Sequence, residues 1–388
     1  MKQASEILWQ FFLLGFASFG GPAAHLGYFR RVFVEQLEWL DEKAYARLIA
    51  LGQFLPGPGS SQVGFALGCQ RAGLAGGLAA FIGFTTPSFL LMYALSAASA
   101  GVLESGWFTG LVHGLKLLAV VVVTDATLNM FKSFCRTILT RILCALTTLT
   151  LLLQSGVITQ LGSLMIAAII GSMAIRSEDG NAPKTAGASD SESLRIAPLA
   201  LFGFLFLALP FVAPEWSAAK LFAEFYHTGS LVFGGGHVVL PLLQSQLGDT
   251  VSPDRFLTGY AAAQGVPGPM FSLAAFLGAE MTPHDRFIGA LVATLGIFLP
   301  GFLLVLGLQG AWERLAAKPR LAGAVTAINA SVVGLLAAAW YKPVFIGAFT
   351  QNLDLLWMGM GFAALRFLKV PIVVMVIGFA VLGVLTSR

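Results

Sequence analysis

Residues 53–58 read Q-F-L-P-G-P and residues 264–269 read Q-G-V-P-G-P. Upstream of the first lies F-G-G-P at 19–22 with His25 behind it, and upstream of the second lies F-G-G-G-H at 233–237. Downstream, each is followed by a long apolar segment with an internal proline, Pro87 in one case and Pro300 in the other. Corresponding features are 214 residues apart at F-G-G, 211 at P-G-P and 213 at the later proline. Three uncommon features in one order at nearly one offset mark an internal repeat. The chain therefore reads as two related halves, 1–175 and 215–388, joined by a polar linker at 176–195 and an apolar connecting span at 196–214.

Composition says what surrounds these halves. Of 388 residues, 57% are hydrophobic, only 11% are charged and 44 are glycine, whereas a soluble domain carries roughly 25% charged residues. Apolar runs at 144–153 and 157–175, 196–214, 288–308 and 370–386 approach or reach the roughly 20 residues a membrane-spanning helix needs. Abundant glycine suits helices that approach closely within lipid. The predicted class is an all-α polytopic membrane protein. A net charge of +4 scattered between apolar runs excludes a nucleic-acid surface. Cys69, Cys135 and Cys144 have no metal-type or disulfide-framework spacing. Neither H-E-x-x-H, G-x-S-x-G nor C-x-x-C occurs, so no enzyme, metal or cofactor is indicated. The apolar N-terminal run continues to Phe29 and recurs later, which predicts a retained segment rather than a cleaved signal.

Charge sets the orientation. The turn near 101–106 has neither Lys nor Arg, whereas 132–141 carries Lys132, Arg136 and Arg141. The stretch 154–160 again has none, and the linker holds Arg176, Lys184 and Arg195. The positive-inside rule places 132–141 and the linker in the cytoplasm. In the second half the counterpart of 101–106 holds Arg314, Lys318 and Arg320, while that of 132–141 has only Lys342. The reversed pattern predicts two inverted-topology repeats, a recurrent build of secondary transporters. Arg30, Arg31, Lys43 and Arg47 precede the first P-G-P and Arg71 follows it. Residues 48–70 are thus predicted to enter and leave by one side, turning at P-G-P, where proline removes a donor and glycine tolerates sharp backbone geometry.

Broken helices at membrane depth need protein or water around them, and they expose backbone donors. A proline in the first turn leaves a helix start intact. Pro56-Gly57-Pro58 should open a half-helix offering the N–H groups of Gly59, Ser60 and Ser61. Pro267-Gly268-Pro269 should do the same with Met270, Phe271 and Ser272. Gly20-Gly21-Pro22, leading to His25, is a third candidate start, and Gly234-Gly235-Gly236 before His237 a weaker fourth, lacking the proline. Each terminus carries roughly half a positive charge, so four converging would suit a dianion. Hydroxyls of Ser60, Ser61 and Ser272 and amides of Gln53, Gln62 and Gln264 would complete an oxyanion shell. The competing reading, close packing and kinks alone, is the weaker one, because both motifs recur in order.

Other residues leave two readings open. His25 and His237 recur beside F-G-G, as site or proton groups or as structural ones; His113, His227 and His284 lack that support and read as interfacial. Lys116 and Asp125 interrupt the apolar run 107–131, where ionisable groups are functional candidates by default. Nine residues apart, they face opposite sides of a helix and do not pair with each other. Lys116 then either snorkels outward or acts in coupling, and Asp125 either pairs near Lys132 or does likewise. Arg30-Arg31 serves as a topology anchor or as an anion funnel.

Together, F-G-G-P-x-x-H at 19–25, E-x-x-x-W-L-D at 35–41, L-P-G-P at 55–58 with Gly68, and the second-half F-G-G-G-H and P-G-P resemble the chromate ion transporter family. The resemblance covers about 5–175 and 217–386 and matches its fused, two-half members. It implies export of chromate, a tetrahedral dianion shaped like sulfate, across the inner membrane of a prokaryote. It also implies roles for the glycines and prolines of the four motifs. An anion channel using the same site, an oxyanion carrier specific for sulfate, and a structural subunit remain alternatives. The partners implied are chromate, sulfate as an alternative, the lipid bilayer and, left open, a second copy of the chain.

Overall fold

A computed structural model describes residues 2–99, 106–175, 194–212, 218–233, 236–247 and 250–386. Most of the linker, at 176–193, and the motif residues Gly234 and Gly235 lie outside the described residues. Among the described residues all regular structure is helical. The first half runs α1 (Lys2–Ala17), α2 (Gly21–Phe29, continuing through a π-turn at Arg30–Gln36), α3 (Glu42–Phe54), α4 (Gly59–Ser99), α5 (Gly106–Phe134), α6 (Ile138–Leu153) and α7 (Val157–Ala174). After α8 (Ile196–Val212) come α9 (Ala218–Leu231), α10 (Val239–Leu247), α11 (Pro253–Gly265), α12 (Leu273–Met281) and α13 (Arg286–Leu308). The chain closes with α14 (Trp312–Ala316), α15 (Pro319–Ala339), α16 (Ile346–Ala348), α17 (Asn352–Arg366) and α18 (Ile372–Thr386).

Local chemistry explains the helix starts. Asp41 caps α3 by accepting from the Ala44 N–H at 2.7 Å, and Thr137 with Thr140 forms a capping box on α6. Ser252 caps α11, with Pro253 in its first turn. Among the described residues, five helices are long and apolar enough to cross a bilayer: 59–98, 106–134, 157–174, 286–308 and the stretch 319–348. Their outer faces, and that of α8, expose large apolar side chains, among them Ile158 at 88% and Phe211 at 89%. An apolar surface on this scale is stable against lipid. The molecule is a multi-pass membrane protein.

Both P-G-P segments are the tips of helical hairpins. In the first, Arg71 lies 4.9 Å over the Trp39 ring, while nearer the tip a Cβ on Gly52 would sit 3.0 Å from the Gly59 carbonyl. The start of α3 thus lies beside residue 71, and its end beside residue 59. There α4 breaks, at Ala72 (φ −144°) and Gly73 (φ +61°), before residues 74–99 run on as a second arm. In the second hairpin Arg255 pairs with Glu280 and stacks on Phe276, joining the start of α11 to the end of α12. A break at residues 282–285 leads into α13.

Contacts recur at the sequence offsets of the repeat. A Cβ on Gly83 would meet the Leu8 carbonyl at 2.5 Å, and one on Gly296 the Phe222 carbonyl at 2.9 Å. Gly15 abuts Pro87 as Gly229 abuts Pro300. Later helices are exchanged between halves. In α18, Gly383 sits against Gly110 and Gly114 of α5; in α7, Gly171 sits against Gly323 of α15. A Cβ at either seam would collide with the facing backbone, so glycine is what permits both crossings. The second arm of α4 runs antiparallel to its counterpart α13: Phe81 stacks near Phe298 and Phe302, whereas Phe89 and Tyr93 lie against Phe287.

Candidate functional site

The two hairpin tips reach into the opposite halves. Gly57, at φ +126°, donates its N–H to the Val232 carbonyl at 2.7 Å. Gly268, at φ +97°, donates to the Ser18 carbonyl at 2.9 Å. These bonds correspond to each other under the repeat, since each joins a P-G-P glycine to the residue before F-G-G of the other half. The proline segments correspond as well: a Cβ on Gly57 would lie 3.1 Å from Gly301 Cα, and one on Gly268 3.1 Å from Ser88 Oγ. Positive φ at both tips is accessible to glycine with little strain. The P-G-P turns, the residues that precede F-G-G and the proline-bearing helices therefore meet in one region.

Helix starts at this junction follow the predicted pattern in the first half and depart from it in the second. α4 opens at Gly59, and its first intrahelical bond is donated by Gln62 to Pro58 at 2.9 Å. This leaves the N–H groups of Gly59, Ser60 and Ser61 without an intrahelical acceptor. Pro22 lies in the first turn of α2, behind Gly20 at φ +98° and with no side-chain cap. By contrast, Met270–Ser272 forms a 3-10 turn in which Ser272 donates to Pro269 at 2.9 Å, and the α-helix begins only at Leu273. Met270, Phe271 and Ser272 are all buried.

The side chains are unevenly placed. Ser60, Ser61, Gln62, His25 and Ser272 are buried. His25 shares a hydrogen bond with Ser60 Oγ through Nδ1 at 3.1 Å, its ring edge-on to Phe84. Gln62 donates through Nε2 to the carbonyls of Pro56 (2.9 Å) and Gly301 (3.2 Å), tying the first tip to the second half. Ser18 Oγ, His25 Nε2, Ser61 Oγ, Gln62 Oε1, Thr85 Oγ1 and Ser272 Oγ are buried without a protein partner, an arrangement that suits a ligand or water. Gln53 is exposed, and Gln264 donates instead to Met270 Sδ. His237 shares its Nδ1 bond with Tyr260 of α11 at 2.9 Å. The two histidines are thus not equivalent: His25 stands six residues after Phe19, His237 four after Phe233.

Lys116 and Asp125 each pair with the second half. Lys116 donates to Asp254 at 2.8 Å, and Asp125 accepts from Arg366 at 2.8 Å. Arg30 is held by Glu35 and Glu42 at the exposed base of the first hairpin, and Arg31 is exposed. Sequence reasoning missed Ser18 and, in the run T-T-P-S at 85–88, Thr85 and Ser88. It also read His113 as interfacial, although His113 meets the buried Asp354, which caps the start of α17 through Thr350 and Gln351.

The sequence profile of the chromate transporter family matches residues 5–175 and 219–384, nearly all of both halves. The chain belongs to the chromate transporter family. A chromate transport protein of Pseudomonas aeruginosa is 26% identical over 340 residues, spanning 86% of this chain and 79% of that one. A chromate transport protein described as probable, from Synechococcus elongatus, is 27% identical over 342 residues, 86% of this chain and 82% of its own. An uncharacterized transporter of Methanocaldococcus jannaschii is 27% identical over 347 residues, with 86% and 83% covered. No solved structure matches the chain. In this member of the chromate transporter family, the matched regions include both hairpins described above.

Proposed function

We propose that this protein is a secondary transporter that exports chromate from the cytoplasm through the prokaryotic inner membrane. The observation that carries the reading is the bonding of each P-G-P tip to the residue before F-G-G of the opposite half, near buried polar atoms that lack protein partners. A tetrahedral dianion suits neutral donors: free N–H groups at a helix start attract negative charge, and hydroxyls release it again without breaking an ion pair. An inside-negative potential favours expulsion by roughly 2.3 kcal/mol per charge per 100 mV, about twice that for a dianion.

On this reading the two halves are inverted in the membrane, with the linker 176–195 in the cytoplasm. The antiparallel course of α4's second arm and α13, with reciprocal tip contacts, supports the inversion. Rocking of the hairpins against their partner arms would expose the junction to either side in turn. Labelled chromate and sulfate uptake into inverted membrane vesicles tests this, comparing wild type with Gly57→Leu and Gly268→Leu at matched expression. Saturable chromate uptake with counterflow, inhibited by sulfate and lost in both variants, is the expected result. Flux without saturation or counterflow would favour a channel, and robust expression without flux of either anion would overturn the assignment.

A further inference from the structure

Superposing the two halves by their offsets exposes an asymmetry at the junction. Ser18 corresponds to Val232, His25 to Val239, Ser60 to Phe271, Gln62 to Leu273, Thr85 to Phe298 and Ser88 to Gly301. Among the buried residues of the junction only Ser61 and Ser272 are polar in both halves; the other polar pair, Gln53 and Gln264, is not buried. All of the residues just compared are buried. The counterparts of the first half's hydroxyls, amide and imidazole in the second half are thus valine, leucine, phenylalanine and glycine.

We infer that the oxyanion is held by the first half alone, at the start of α4, and that the second half contributes an apolar wall rather than a symmetric set of ligands; this rests on the transport reading above. The polar residues lie along one run of contacts. Ser18 and Ser88 flank the Gly268 tip, Phe84 carries the run to His25, and His25 bonds Ser60 beside Ser61. When the Ser60 hydroxyl donates to Nδ1, His25 Nε2 holds the ring proton and becomes a donor. Together with Ser61 Oγ, Thr85 Oγ1 and the free N–H groups of Gly59, Ser60 and Ser61, it makes a one-sided donor set. These side-chain atoms are among those buried without a protein partner. Gln62 is a scaffold on this account, since its Nε2 is spent on Pro56 and Gly301. The apolar wall excludes water, which strengthens each donor's attraction for a charge.

The serine shared by both halves supplies the test. Ser61→Ala, Ser272→Ala and Thr85→Val are compared with wild type in two assays: the chromate KM for vesicle uptake, and the chromate or sulfate concentration that half-maximally raises the melting temperature of detergent-purified protein. Losing a hydrogen bond to a charged ligand weakens binding about tenfold or more. Ser61→Ala is therefore expected to raise both values about tenfold and Thr85→Val several-fold, with Ser272→Ala within about twofold. All three should melt near wild type without anion. Equal effects of Ser61→Ala and Ser272→Ala, or no effect of either, would overturn the inference. Wild-type protein that is stabilised by the anions with this asymmetry but shows no flux would sink the transport reading and leave the site standing. If the anions neither stabilise nor cross, both fall.

Discussion

Gly57→Ala isolates what the first hairpin tip contributes. At φ +126° an L side chain is strained by about 1–3 kcal/mol wherever it points. The new methyl would also sit 3.1 Å from Gly301 Cα, a backbone atom that cannot swing aside, and 3.0 Å from Gln62 Nε2. Moving the Gln62 amide away forfeits its bonds to Pro56 and Gly301, each worth about 1 kcal/mol net. The total is a destabilisation on the order of 2–5 kcal/mol, and the melting temperature should fall on the order of 5 °C. Purified protein in mild detergent, followed by tryptophan fluorescence during heating, measures this directly. Gly162→Ala is the control: it lies in α7 with nothing within 4 Å of its Cβ position, and should melt at or slightly above wild type. A Gly57→Ala protein that melts with wild type would show that the tip is not held as described.

Three further outcomes follow from contacts between distant elements. Arg255→Ala or Glu280→Ala, breaking a pair whose side chains are 11% and 14% exposed, should each cost about 3–5 kcal/mol by removing one member of a largely buried ion pair, and the double variant should cost less than the sum in the same melting assay. Asp254→Asn should cost less, about 1–3 kcal/mol, because the carboxylate is 64% exposed while the Lys116 side chain it pairs with is only 11% exposed and keeps an amide oxygen as acceptor, and should leave the chromate KM unchanged; a large rise would give that pair a role in transport. Thr147→Cys with Ser331→Cys, whose hydroxyls are 2.8 Å apart, should form a disulfide joining α6 and α15 on mild oxidation, read as a link between fragments after proteolysis of the linker.

Local features were legible in the sequence because their causes are local. Proline within the first turn and glycine at the turn placed the starts of α2 and α4, and basic residues on both sides of P-G-P signalled the folded-back hairpin. The second start was read as a half-helix like the first, and nothing in M-F-S announces that it opens with a 3-10 turn. The histidines misled because recurrence beside F-G-G hides a two-residue difference that sends His25 to Ser60 and His237 to Tyr260. Partners of Lys116, Asp125 and His113 were invisible, since each lies more than a hundred residues away in sequence. Buried hydroxyls such as Thr85 carry no pattern at all until the fold gathers them.

The exchange of helices between halves bears on how the chain is made. α5 leaves the ribosome early, yet the glycine seam at Gly110 and Gly114 is covered only by α18, at the far end of the chain. At about 5–20 residues per second, roughly 250 further residues take some 10–50 s to synthesise. Throughout that interval the seam faces lipid or whatever insertion factor shields it. Neither half can be finished before the other, so a stop codon ahead of Ile372 would leave an open groove in the first half, and quality control would meet the defect there rather than at the truncated end.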